Sequence, residues 1–338
     1  MRASLWSRVK DLVARLFRRK PPEPGRFATD TKWSWRGLLA VAPLVLPQRE
    51  YLVYIPAGAS HLWQWRSRPL LVLLHGCRQS PEDIAASTRV TKLADELDCV
   101  VLLPRQAGNA NPWGCWNWFD SATARGRGET AIVAAQIEVV LRRYRIDSKR
   151  VFAAGLSSGG GLAAALGVRR PDLIAGTFVH SGVACGAASS PLAALGILTH
   201  GADTDFTRIA TEARAEAAAD ALPVPLVVIH GARDATVAPV NAAQLVRQYL
   251  TLNAHPAASV GENDALPVPD RADSTATPEG RTVTTSEWRS GGRLVARHVL
   301  VSELGHAWSG GDDHLPFNDP LPPDATALLS TFIGEAMQ

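Results

Sequence analysis

The chain has 338 residues, 46% of them hydrophobic and 20% charged, enough to bury a full core, and it carries no repeat array or low-complexity tract. Its formal net charge of +3 is uneven: residues 1–20 hold seven basic side chains and one acid, leaving 28 basic against 31 acidic residues elsewhere. That balance excludes a body built to bind nucleic acid, and four cysteines are too few for a disulfide scaffold.

The N-terminal stretch MRASLWSRVKDLVARLFRRK predicts a cationic amphipathic helix. Leu5, Val9, Leu12, Val13, Leu16 and Phe17 share one stripe, with Arg8, Asp11, Arg15 and Arg18 opposite. It reads as a terminal helix, free or docked on the core, with peripheral contact to a membrane or hydrophobic granule as the sharper alternative. It lacks the apolar h-region of a secretory signal, and the compartment stays open. The run LLAVAPLVLP (38–47) is too short to span a bilayer and contains Pro43, so no transmembrane segment is expected. Residues 1–47 are read as an extension and 48–338 as one catalytic domain.

Within that domain, REYLVYIPAG (49–58) suggests an early antiparallel strand. Unalternating apolar runs follow at 70–76, 99–104, 150–155, 175–182, 224–231 and 297–306, as expected of strands covered on both faces. Helical patterns at 129–144, 160–169 and 240–252 alternate with them, and ATALLSTFIGEAMQ reads as a closing helix. The fold class is therefore α/β with a mostly parallel sheet flanked by helices. Residues 255–281, rich in Pro, Ala, Asp and Thr, read as a long loop, followed by a hairpin turning at 290–292.

The run RVFAAGLSSGGGLAAALGVRRP (150–171) contains Gly155-Leu156-Ser157-Ser158-Gly159, a G-x-S-x-G pentapeptide. The pentapeptide alone is a weak signal. A strand leading in and a helix leading out make it the setting of a nucleophile elbow, with a plain glycine-rich turn as the alternative. Such a bend exposes the Ser157 hydroxyl, and the helix N-terminus offers N–H groups to a developing oxyanion. A serine nucleophile needs a base, and the base needs an orienting acid. Asp234 follows the VPLVVIHG run and His306 follows RHVLVSEL, in the order Ser157, Asp234, His306. His75, His180 and His230 stand at strand ends next to or near glycine and read as packing residues, and Asp203 and Asp205 read as capping or solvating a following helix. The oxyanion donors expected are the N–H groups of Ser158 and of Cys77, the latter just past the strand LLVLLHG.

The stretch NPWGCWNWFD (111–120) is unusually aromatic. Trp113, Trp116, Trp118, Phe119 and, beyond His306, Trp308 are candidates for an apolar acyl- or aryl-binding wall, Trp116 and Trp308 foremost, with core packing as the other reading. Cys99 reads as a buried apolar residue. Cys77 and Cys115 flank these motifs, and a bridge between them is one of the pairings open to the sequence.

At these residues the sequence resembles the esterase family that includes poly(3-hydroxybutyrate) depolymerases together with feruloyl and acetylxylan esterases. The matching pieces are LLHGCRQSPEDIAAST, NPWGCWNWFD, GRGETAIV, VFAAGLSSGGGLAA, HSGVACGAA, VIHGARDATV and GHAWSGG. The resemblance implies the α/β-hydrolase fold, triad roles for Ser157, Asp234 and His306, and oxyanion roles for Cys77 and Ser158. The expected activity is hydrolysis of esters, from oligomeric or polymeric 3-hydroxybutyrate to short-chain esters, with no cofactor and no metal. Feruloyl or acetylxylan esterase activity, acyl transfer on the same scaffold, and a surface-binding protein on a hydrolase fold are the alternatives.

Overall fold

Alternate residues of the apolar run after Arg68 enter different cores: Leu70, Val72 and Leu74 pack on one side of a sheet, Leu71 and Leu73 on the other. Because both faces are covered, every position is apolar and no polar alternation survives. A computed structural model of the chain describes residues 25, 27–30, 49–57, 67–217, 222–259, 262 and 264–337. The helix expected over residues 1–20 and the run 38–47 lie outside the described residues.

The strands are β1 (Phe27–Asp30), β2 (Tyr51–Tyr54), β3 (Arg68–Leu74), β4 (Val100–Pro104), β5 (Ile146–Leu156), β6 (Gly176–His180), β7 (Leu226–Gly231), β8 (Arg271–Ala276), β9 (Thr282–Ser290) and β10 (Arg293–Val301). They form one sheet in the order β1-β2-β4-β3-β5-β6-β7-β10-β9-β8. The six central strands from β4 to β10 pair in parallel, and the outer ones at both ends pair antiparallel. The helices are α1 (Pro81–Ser87), α2 (Val90–Leu97), α3 (Ser121–Ala124), α4 (Gly128–Tyr144), α5 (Ser158–Arg169), α6 (Pro191–His200), α7 (Phe206–Glu216), α8 (Val240–Leu252) and α9 (Ala325–Ala336). Residues of α4, α5, α7 and α8 build the core on one face, and those of α2 and α9 the core on the other.

Local chemistry accounts for the helix starts. Ser80 and Asp83 form a reciprocal capping box ahead of Pro81. Asp205 accepts the Arg208 N–H as the cap of α7, as expected, and Asp324 caps α9. Among the described residues, no helix is long and apolar enough to cross a membrane.

Two expectations need correction. The extension does not stop short of the sheet: Phe27–Asp30 add an edge strand to β2, with Phe27 opposite Tyr54 and their rings 5.2 Å apart. The expected loop 255–281 also contains a strand, β8, paired with β9 from Arg271↔Glu287 to Ala276↔Thr282. All six residues of β8 are exposed, so no burial pattern in RADSTA could announce it. Its pairing is dictated by the open edge of β9.

Candidate active site

The chain leaves β5 and enters α5 through one residue, Ser157, whose backbone stands at φ 57° and ψ −120°. A positive φ in a non-glycine residue costs on the order of 1–3 kcal/mol and persists only where the surroundings enforce it. Here the Ser157 N–H donates to the His180 carbonyl at 2.9 Å, and its own carbonyl accepts the Gly161 N–H at 3.0 Å. The flanking glycines follow from close approach. A Cβ on Gly155 would fall 2.4 Å from the Gly159 carbonyl, and one on Gly159 would fall 2.3 Å from the Leu74 oxygen of the neighbouring strand.

Asp234 lies in the turn after β7, pinned by Ala232 and Arg233 N–H bonds to Val301 and Leu304. Its carboxylate is fully buried and wholly engaged. Oδ1 accepts the N–H groups of Thr236 (2.9 Å) and Val237 (2.8 Å), and Oδ2 lies 2.8 Å from His306 Nδ1. Burial alone would raise the Asp234 carboxyl. The hydrogen bond and charge of His306, with the Val237 N–H, outweigh it and hold the group below the usual carboxylate range. An ionised Asp234 keeps the His306 proton on Nδ1 and leaves Nε2 free to accept.

Ser157 and His306 line the same cavity, of about 600 Å³, without a direct hydrogen bond between them. Such contacts commonly tighten only with substrate present. Cys77 and Ser158 line it too. Ser158 opens α5, where a backbone N–H has no intrahelical acceptor, and the Cys77 N–H has no protein partner among the described hydrogen bonds. Cys77 is joined to Cys115 by a disulfide, while Cys99 and Cys185 are buried thiols.

The tryptophans divide. Trp118 lines the cavity, but Trp116 and Trp308 do not: they are 2% and 1% exposed and belong to the two cores. Trp308 stacks on His180 and donates to Thr326 Oγ1, so the wall expected of it is a core contact instead. The cavity wall comes partly from residues not anticipated from sequence. Leu192 and Leu195 line it while remaining 82% and 67% exposed, with Leu198, Val183 and Phe317 beside them, and of the aromatics expected there Trp113 (58% exposed) and Phe119 line it as well. The leucines come from α6, whose signal was legible: a serine cap, a proline and leucines three apart.

His75, His180 and His230 sit in packing positions. His75 accepts the Gln106 N–H at Nε2, His180 accepts the Ser309 N–H, and His230 donates from Nε2 to the Val237 carbonyl at 2.7 Å, bracing the Asp234 turn. Asp312, Asp313 and His314 are, among the described residues, the group whose ligand atoms come close enough to share an ion. None of them lines the cavity.

The family model described as Esterase PHB depolymerase matches residues 49–265, and the chain belongs to that family. It is 31% identical over 198 residues to poly(3-hydroxyalkanoate) depolymerase C of Paucimonas lemoignei, covering 58% of this chain and 46% of that protein. To poly(3-hydroxybutyrate) depolymerase of Ralstonia pickettii it is 28% identical over 264 residues, covering 73% and 50%. The chain thus spans about half the length of the curated relatives it matches. The solved acetyl xylan esterase from Aspergillus awamori superposes with a TM-score of 0.65 at 19% identity, over 83% of this chain and 94% of that one, which shows a shared α/β-hydrolase fold.

Proposed function

We propose that this member of the family is a serine carboxylic-ester hydrolase with Ser157 as nucleophile, His306 as base and Asp234 as orienting acid. The observation that carries the reading is convergence on one cavity: a strained serine at a strand-to-helix turn, a histidine bonded to a buried aspartate, and two N–H groups without protein partners. His306 Nε2 takes the Ser157 proton as Oγ attacks the ester carbonyl. The N–H groups of Cys77 and Ser158 receive the oxyanion. His306 then returns the proton to the departing alcohol, and a water activated by the same histidine releases the acid and restores Ser157.

The apolar wall supports esters with an aliphatic acyl part, and the depolymerase relatives support 3-hydroxybutyrate oligomers within that class. Trp113, Trp118, Phe119 and Phe317 on the same wall favour, as a second reading, an aryl acyl group such as a ferulate.

A panel of p-nitrophenyl acetate, butyrate and octanoate, methyl ferulate and 3-hydroxybutyrate oligomers separates these with wild type and Ser157→Ala side by side. Ser157→Ala is expected to lower kcat by about 10⁶. Retention of more than about a tenth of wild-type turnover would sink the nucleophile assignment. The preferred ester of the wild type decides between the aliphatic and aryl readings.

A further inference from the structure

Glu129, in the first turn of α4, is a buried carboxylate whose two oxygens are both in use. Oε1 accepts from Gln106 Nε2 at 2.6 Å and from Asn117 Nδ2 at 2.9 Å, and Oε2 accepts the Asn117 backbone N–H at 2.7 Å. Arg49 stands 3.9 Å from Oε1 and donates to Gln106 Oε1 at 2.7 Å, which orients that amide. The Gln106 amide in turn donates to the Cys115 carbonyl at 2.8 Å, a carbonyl that also accepts from Asn111 at 2.7 Å. The backbone at 115–117 is therefore hung from one buried carboxylate, directly and through an amide it engages.

The same segment holds both residues assigned as oxyanion donors. Cys115 is disulfide-bonded to Cys77, the Arg78 N–H donates to the Trp113 carbonyl at 2.8 Å, and the Trp116 N–H donates to Ser158 Oγ at 3.3 Å. Cys77 and the Ser158 side chain are thus tied to the position of 113–116. Glu129 itself does not line the cavity that holds Ser157, so it cannot act on substrate directly.

We propose that Glu129 is a positioning residue for the oxyanion hole, acting through the 115–117 backbone, the Cys77–Cys115 disulfide and the Trp116–Ser158 hydrogen bond. The inference rests on the esterase reading above. Three donors converge on this carboxylate, so replacing one oxygen with an amide NH₂ sets donor against donor without changing shape. The segment must then shift to relieve it.

The test is Glu129→Gln assayed with p-nitrophenyl butyrate. Deleting an oxyanion donor costs about 10²–10³ in kcat, so misplacing one is expected to cost about 10- to 100-fold, with KM within about threefold. An alkyl trifluoromethyl ketone, whose adduct with Ser157 sets an alkoxide between the two donors, should weaken by the same factor as kcat/KM, while butyrate binding barely changes. A lowered Tm with wild-type kcat and wild-type ketone affinity would mean a stability role alone and would overturn the proposal.

Should Glu129→Gln fail to fold, Asn117→Ala removes the side-chain donor to Glu129 together with the Oδ1 that accepts from Asn111, and is expected to give the same kcat-selective loss, about threefold to tenfold. Wild-type kcat in that variant overturns the proposal equally. In a Cys77→Ala/Cys115→Ala background the loss from Glu129→Gln should shrink, and full additivity would overturn the route through the disulfide. Ser157→Ala runs alongside. If turnover survives it, the esterase reading falls and takes this inference with it. If Ser157→Ala is inactive while Glu129→Gln is unimpaired, only this inference falls.

Discussion

Asp234 divides its two oxygens between its own loop and His306, and this division makes its substitution informative. In Asp234→Asn the amide oxygen can still accept the Thr236 and Val237 N–H groups, so the turn should hold. The amide nitrogen, however, would then face His306 Nδ1 and favour the tautomer with its proton on Nε2, where it cannot accept from Ser157. Asp234→Asn is expected to lower kcat by about 10⁴ with little change in Tm. A loss of less than about tenfold, measured on the best ester of the panel, would remove Asp234 from the proposed role. At this scale legibility was uneven. Ser157 could be read because the glycines beside it are demanded by backbone contacts that no side chain tolerates. Trp116 and Trp308 could not, because an indole in a sequence announces burial without saying against what. Glu129 sat in a matched motif with no visible role, since its partners lie 12 and 23 residues away on a loop.

Among the elements, α5 and α6 show opposite uses of small and large residues. Nearly all of α5 is buried, and its glycines and alanines let it sit directly against β3, β5 and β6. By contrast α6 buries only Ala194 fully and turns Leu192 and Leu195 toward the cavity mouth. Apolar side chains left so exposed on a cavity rim gain their burial from what enters the cavity. If each leucine contributes about 1 kcal/mol on contact with a long acyl chain, part of its full burial value, Leu192→Ser/Leu195→Ser should raise KM for p-nitrophenyl octanoate by about tenfold or more. KM for the acetate, too short to reach the rim, should stay within about twofold. Equal losses on both esters would mean that α6 supports the fold rather than the acyl chain. The helix was not expected from the sequence, although its cap and proline could have announced it; its position over the site could not have been read, because that depends on how the chain returns from β6.

Taken whole, the molecule buries several histidines in neutral form. Burial pushes His75 down to about 4 and His180 and His298 to about 3, and it lowers His230 as well. In the unfolded chain each would bind a proton near pH 6.5, so the unfolded state binds more protons over the interval below that. The sign follows: this contribution to stability is complete above about pH 6.5 and is lost as pH falls toward the depressed folded values, with a slope approaching about 1.4 kcal/mol per pH unit for each histidine. Urea unfolding between pH 7 and pH 5 should show stability falling with pH. His298→Gln, at a site whose Nε2 has no partner, should make the slope shallower by one histidine's share. An unchanged slope would mean that His298 is not the neutral buried group described here.

The sequence by itself determined the layered fold and the strand-to-helix setting of Ser157. Short apolar runs without alternation, set between helical patterns, read as strands covered on both faces, and a glycine-flanked serine between a strand and a helix has few conformations open to it. Family membership was legible for the same reason, because it rests on short local motifs kept in order. The tertiary structure alone decided which side chains share a space. Asp234 and His306 meet because β7 and β10 are neighbours in the sheet although 72 residues separate them. Phe27–Asp30 and β8 became strands because open sheet edges offered them hydrogen bonds that their own residues did not announce. Contacts between distant segments are set by how the sheet is wound, and local side-chain pattern carries no record of that winding.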